Sequence, residues 1–78
     1  MADVDMPRMS DNMTEGYIER WLVESNSHVN SGQEIMEVET EKALMTYEAE
    51  STGIISILVP AGQTVAIGVL IATITEKS

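Results

Sequence analysis

The stretch VNSGQEIMEV, residues 29–38, recurs in outline as VAIGVLIATI, residues 65–74. Val29, Gly32, Ile35 and Val38 stand in the first copy where Val65, Gly68, Ile71 and Ile74 stand in the second, each displaced by 36 residues. A second matched pair precedes them, GYIERWLV from Gly16 and GIISILVP from Gly53, displaced by 37 residues. The second half therefore loses one residue before Val65. Two matches in the same order describe a duplicated strand-turn-strand unit. Such a duplication predicts two similar halves that face each other across a shared core with approximate two-fold symmetry.

The units are strands. Apolar runs such as YIERWLV, EIMEVE, ALMTYEA, GIISILVP and VLIATI are short, rich in Val and Ile, and bounded by Gly, Pro, Asn or Ser. Helical periodicity is absent from them, and their spacing of roughly 8 to 12 residues predicts an all-β antiparallel sandwich or small barrel. At 78 residues the chain makes one domain with little spare stability. Without Phe, and with one Trp and two Tyr, its core has to be built from Val, Ile, Leu, Met and Ala.

Charge and composition exclude several function classes. Thirteen acidic residues against four basic ones give a net charge of −9, which disfavours nucleic acid and anionic membrane surfaces and favours basic docking partners. No apolar run approaches the roughly 20 residues of a membrane span, and MADVDMPRMS lacks a signal-peptide pattern. The absence of Cys removes disulfides and thiolate metal sites and is compatible with a reducing compartment. The expected location is the bacterial cytoplasm or the mitochondrial matrix.

One of the four basic residues, Lys42, falls where the two repeats join, in ETEKAL. TEKA has no Gly, Pro or Asn, so a type I turn is expected, with Lys42 at its tip. Symmetry places this turn at one pole and the chain ends near the other. In the flanking strands Met36 and Val38 oppose Glu37, Glu39 and Glu41, and Met45, Tyr47 and Ala49 oppose Thr46, Glu48 and Glu50. Ile35 and Leu44 fall on the polar face in this register, which calls for a bulge, a twist or a partly covered apolar patch.

A turn lysine is ordinarily a solvated residue that blunts a hairpin edge. An activated catalytic amine needs desolvation or a cationic neighbour, and an exposed acidic turn supplies neither. A lysine displayed for another enzyme to modify needs only protrusion and rigid support. Other candidates are weaker. His28 is the lone histidine, without Cys, and reads as a loop residue rather than a metal ligand. Glu34, Glu37, Glu39 and Glu41 form a solvated strand face and nothing like a calcium loop. No Ser-His-Asp set, phosphate-cradling Gly loop or basic patch is present. No catalytic residue and no metal site is expected.

MPRMSDNMTEGYIERW, followed by SGQEIMEVETEKALMTYEAESTGII and AGQTVAIGVLIATI, resembles the lipoyl domain of the dihydrolipoyl acyltransferase component of 2-oxo acid dehydrogenase complexes. The resemblance covers residues 4 to 75, with ETEKA in the place of the family's lipoylation turn and Glu41 in the place of its Asp. It implies a flattened barrel of two four-stranded antiparallel sheets with quasi-two-fold symmetry. It implies lipoic acid amide-linked to Lys42 by a lipoate ligase or lipoyl transferase. Glu39 and Gly53 are implied to help that enzyme recognise its substrate, and Glu41, Ala43 and Glu39 are expected to help the decarboxylase do so.

The implied arm takes acyl groups from a thiamine-diphosphate-dependent decarboxylase to an acyltransferase core and is reoxidised by dihydrolipoamide dehydrogenase. Residues 1–78 would form one monomeric carrier domain, the N-terminal domain of a longer acyltransferase. MPRMSDNMTEG leans towards the pyruvate complex. Two features depart from the family's pattern. Asn26 and Ser27 replace the usual Gly-Asp, a change that Asn tolerates because it accepts positive φ. The second half is also one residue shorter between Gly53 and Gly62, which leaves the register of that strand open. The alternatives are a biotin carboxyl carrier, whose lysine is normally flanked by Met rather than by Glu41 and Ala43, a glycine-cleavage carrier, which is longer, and an unmodified docking module.

Overall fold

The computed structural model describes residues 1–76 and contains eight strands. They are β1 (Ala2–Asp5), β2 (Glu15–Trp21), β3 (His28–Val29), β4 (Glu34–Glu39), β5 (Leu44–Glu48), β6 (Gly53–Ile57), β7 (Thr64–Ala66) and β8 (Leu70–Thr75). They form two four-stranded antiparallel sheets, β1-β8-β6-β3 and β5-β4-β2-β7. Replacing each strand of the first order by its repeat partner, four places along the chain, produces the second. The duplication read in the sequence is therefore the symmetry of the fold.

The halves do not face each other as the sequence had suggested. Each sheet takes two strands from each half, so the halves interlock. The cross-links between them come in matched pairs. Asn26 N donates to Ile55 O and Gly62 N to Ile18 O, while Ile55 N donates to Ser27 O and Ile18 N to Gln63 O. Asn26 and Gly62 are equivalent, and both have positive φ, 72° and 93°. Asn26 thus fills a left-handed position that its counterpart gives to glycine, as its side chain allows.

The change of displacement from 37 to 36 residues is located at Glu19. In the β2–β4 pairing Ile18 faces Val38 and Arg20 faces Glu37, so Glu19 is an extra, bulged residue. The equivalent β6–β8 pairing runs without interruption from Ile54–Thr75 to Ile57–Ala72, so its register is regular. A second irregularity lies in β4 between Glu34 and Met36, where it turns both Ile35 and Met36 into the core. A bulge thus accounts for Ile35. Leu44 stays on the outer face and is exposed. Met45 lies on the inward side of its strand as expected, but at the sheet edge, where it remains 36% exposed.

Every repeat position except the turn glycines closes into the interior, with Val29, Ile35, Val38, Ile71 and Ile74 at most 2% exposed. Val65 joins them in the same cluster, together with Met6, Ile18 and Ile55. Truncating one such side chain to Ala costs about 2–5 kcal/mol, a large share of the stability available to a domain of this size. Trp21 packs against the core edge and donates from Nε1 to Val59 O at 2.9 Å, tying β2 to the loop after β6.

Candidate functional site

Lys42 sits at the tip of the β4–β5 hairpin, between Glu39 and Leu44, the last paired residues. No residue from Thr40 to Ala43 has positive φ, as in a type I turn and unlike the type II and primed turns. The turn is fastened by Thr40, which sequence reading had passed over. Thr40 N donates to Ala43 O at 2.9 Å, and its hydroxyl donates to the same oxygen at 3.0 Å. That hydroxyl also accepts from Lys42 N at 3.3 Å and Ala43 N at 3.2 Å. The signal was present as a Thr at the entry of a four-residue turn, where hydroxyls commonly bind nearby backbone groups.

Glu41, Lys42 and Ala43 are all exposed. The one ion pair among the described residues is Arg20–Glu37 at 3.0 Å, so Lys42 is not tied to a carboxylate. Glu39 closes the hairpin and, with Glu41, Glu15, Tyr17, Met13 and Thr64, helps line a cleft of about 470 Å³ beside the turn.

The start of β4 marks the other end of the molecule. There Gly32 N donates to Ala49 O at 2.8 Å and Ser31 N to Thr52 Oγ1 at 2.9 Å. Thr52 lines a small cleft with Met1, Ala2, Ile74 and Glu76, where the first and last described residues meet. The intervening six residues of β4, at about 3.3 Å each, separate this end from the hairpin by roughly 20 Å. Lys42 and the first and last described residues, Met1 and Glu76, thus lie at opposite ends of a molecule 38 Å in its longest dimension.

Glu39, Glu41, Lys42 and Ala43 are brought together at the hairpin, whereas Gly53 is not among them. Gly53 is buried in β6 at the far end, where an added Cβ would fall on the Thr75 carbonyl. Packing alone gives a reason for glycine there. Tyr47, on the hairpin's second strand, donates its hydroxyl to Glu50 Oε2 at 3.0 Å. Burial, followed by that bond and the negative charge of Glu50, raises its pKa from 10.0 to about 12. No three His, Asp or Glu among the described residues gather in a metal-binding arrangement.

A protruding primary amine on a pinned, isolated turn fits a group attached through an amide, because nothing has to be displaced to reach it. The comparisons agree with that geometry. Residues 2–74 match the biotin/lipoyl family model, described as "Biotin-requiring enzyme". The chain is 43% identical over 76 residues to the dihydrolipoyllysine-residue acetyltransferase component of the pyruvate dehydrogenase complex of Zymomonas mobilis, covering 95% of this chain and 17% of that protein. It is 34% identical over 77 residues to the succinyltransferase component of the 2-oxoglutarate dehydrogenase complex of Bacillus subtilis, covering 97% and 18%. It thus spans under one fifth of the length of these relatives.

The solution structure of the lipoyl domain of the 2-oxoglutarate dehydrogenase complex of Azotobacter vinelandii superposes with a TM-score of 0.81 at 28% identity, covering all of both chains. With a matching family model, relatives above 30% identity and a like-folded lipoyl domain, the chain belongs to the biotin/lipoyl family as a lipoyl-type carrier domain of the kind found in dihydrolipoyl acyltransferases.

Proposed function

We propose that Lys42 Nζ carries lipoate through an amide bond and that the domain serves as the swinging-arm carrier of a 2-oxo acid dehydrogenase complex, that of pyruvate. The observation that carries this reading is the exposed, Thr40-fastened lysine at the end of the molecule opposite Met1 and Glu76. Lipoate bound there supplies a disulfide that can be reduced and acylated, chemistry a cysteine-free chain lacks.

The protein's own residues hold and present. The Thr40 hydroxyl fixes the direction of the turn, the bulged β4 roots it in the core through Ile35 and Met36, and the far placement of Met1 and Glu76 leaves the tip free to visit partners. A tether converts each visit into an effectively intramolecular encounter. Attachment removes the ammonium charge of Lys42 and so leaves the surrounding acids more dominant. The residues Glu39, Glu41 and Ala43 are those such visitors meet first.

The partners in this reading are a lipoate ligase or lipoyl transferase, a thiamine-diphosphate-dependent decarboxylase, an acyltransferase core and dihydrolipoamide dehydrogenase. The setting is a longer acyltransferase in the bacterial cytoplasm or the mitochondrial matrix. The preference for pyruvate is supported by the higher identity to acetyltransferase components, 43% against 34% for the succinyltransferase component. Its test is to offer the lipoylated domain to pyruvate and 2-oxoglutarate decarboxylases. Faster acylation with pyruvate is expected; faster acylation with 2-oxoglutarate would reverse the assignment.

A further inference from the structure

The two-fold symmetry provides an internal control for the cleft beside Lys42. Thr14, Glu15 and Thr40 line it, and their repeat equivalents Ser51, Thr52 and Glu76 line a cleft at the other end of the molecule. The first has a volume of about 470 Å³ and the second about 130 Å³, so the repeated fold does not by itself require the larger space. The difference lies in one connection. Between β1 and β2 the chain runs over residues 6–14, whereas the equivalent connection between β5 and β6 has only residues 49–52. The longer connection brings Asn12, Met13 and Thr14 to the cleft wall.

A second observation concerns the lining. Met13 is 3% exposed, and its Sδ accepts from Met9 N at 3.2 Å, which fixes the side chain in place. Tyr17 adds an aromatic ring that is 36% exposed. A thioether and a ring are polarisable surfaces well suited to contact with sulfur. Thr64, Tyr17 and Glu39 pair in one row across β7, β2 and β4, so the lining extends over two strand spacings, roughly 10 Å. Glu39, Thr40 and Glu41 form its near side, immediately before Lys42 in the chain.

We propose that this cleft is a resting site for the carried group, in which Met13 and Tyr17 reversibly hold the dithiolane end of a lipoyl arm attached to Lys42. The inference rests on the reading of Lys42 as the attachment point and deepens it. An amide-linked arm is uncharged, so Glu15, Glu39 and Glu41 around the cleft gain no ion to pair with and keep the opening hydrated. The contact is therefore weak and apolar. Weakness suits a carrier. A short tether gives an effective concentration on the order of 1 mM, so a site whose Kd is also on the order of 1 mM is about half filled, and the arm stays available to its partners the rest of the time.

The test records NMR spectra of the lipoylated domain beside the same domain acetylated at Lys42, which undergoes the same loss of charge without gaining a dithiolane. Nuclear Overhauser contacts from the dithiolane methylenes to the Met13 methyl group and the Tyr17 ring are expected, together with amide shifts at Met13, Tyr17 and Thr64 that acetylation does not produce. Thr64→Trp puts a large side chain at an exposed position on the cleft wall and should abolish the contacts with the amide dispersion intact. Tyr17→Ala removes one wall and should weaken them several-fold. High salt should leave them in place, because the arm is neutral.

Absence of the contacts, with shifts no larger than those of the acetylated domain, would overturn the proposal. Contacts that persist undiminished in folded Thr64→Trp and Tyr17→Ala would overturn it as well, and so would contacts that vanish at high salt. Failure of the Lys42 reading looks different: a lipoate ligase with ATP and lipoate adds no mass to the wild type, or still adds it to Lys42→Ala.

Discussion

Gly16 and Gly53 occupy equivalent positions yet differ in what an added methyl group would meet. At Gly16 it would lie 2.8 Å from Met6 Sδ and Val38 Cγ1 and 2.9 Å from Met13 Cε, mostly the ends of side chains that can move. At Gly53 it would meet the Thr75 backbone, which cannot. Gly53→Ala is therefore predicted to cost more stability than Gly16→Ala, on the order of 2–3 kcal/mol against about 1 in denaturant unfolding. A smaller loss at Gly53 would show that β8 yields. At Asn26, with φ of 72°, Gly should be tolerated, whereas Val should destabilise by about 1–2 kcal/mol. Asn26 was legible in the sequence because its side-chain chemistry predicts its backbone. Thr40 was less so, because its role depends on a hydroxyl that closes back on a turn whose shape the letters alone leave open.

The hairpin is the element on which function depends, and its two strands differ in support. β4 is central and rooted by Ile35, Met36 and Val38, whereas β5 is an edge strand with Leu44 and Met45 exposed. Thr40→Val, which keeps shape and loses the hydroxyl, is predicted to speed hydrogen exchange at the Ala43 amide and to cost about 1 kcal/mol; Thr40→Ser should restore both. Equal exchange in wild type and Thr40→Val would remove Thr40 from the account.

Tyr47 gives β5 a dependence on alkaline pH. Its folded-state pKa of about 12 lies above the ordinary 10.0, so the fold favours the protonated phenol. That contribution is fully present below pH 10 and is lost as pH climbs through about 12. Tyr47→Phe should flatten the fall of stability across this window and should remove from a tyrosinate absorbance titration the phenol that ionises at about 12. Sequence alternation identified the faces of both strands. It could not fix where β4 bulges or that Met45 reaches a sheet edge, because both follow from pairing partners that alternation does not name.

At the scale of the whole molecule, the repeat at residues 29–38 and 65–74 was enough to establish two-fold symmetry and the exceptional position of Lys42. It did not reveal how the halves interlock, since spacing shows which segments are alike and not which ones pair. Interlocking has a consequence. Within the first half β2 and β4 pair, but β1 and β3 find their partners only in β8 and β6. A fragment of residues 1–42 is predicted to be unfolded, with collapsed amide-shift dispersion, and mixing it with residues 43–78 should restore the native spectrum. A folded fragment would mean that each half is self-sufficient.

The central claim is that position 42, and no other, is where the carried group is attached. The direct measurement is the intact mass of the domain co-expressed with a lipoate ligase and supplied with lipoate, beside Lys42→Ala and a variant in which Glu41 and Lys42 are exchanged. A single lipoyl increment in the wild type, absent from Lys42→Ala and strongly reduced when the lysine moves one place along the turn, is the predicted result. An unmodified wild type, with a known lipoyl domain modified in parallel, or an increment that survives Lys42→Ala, would contradict it.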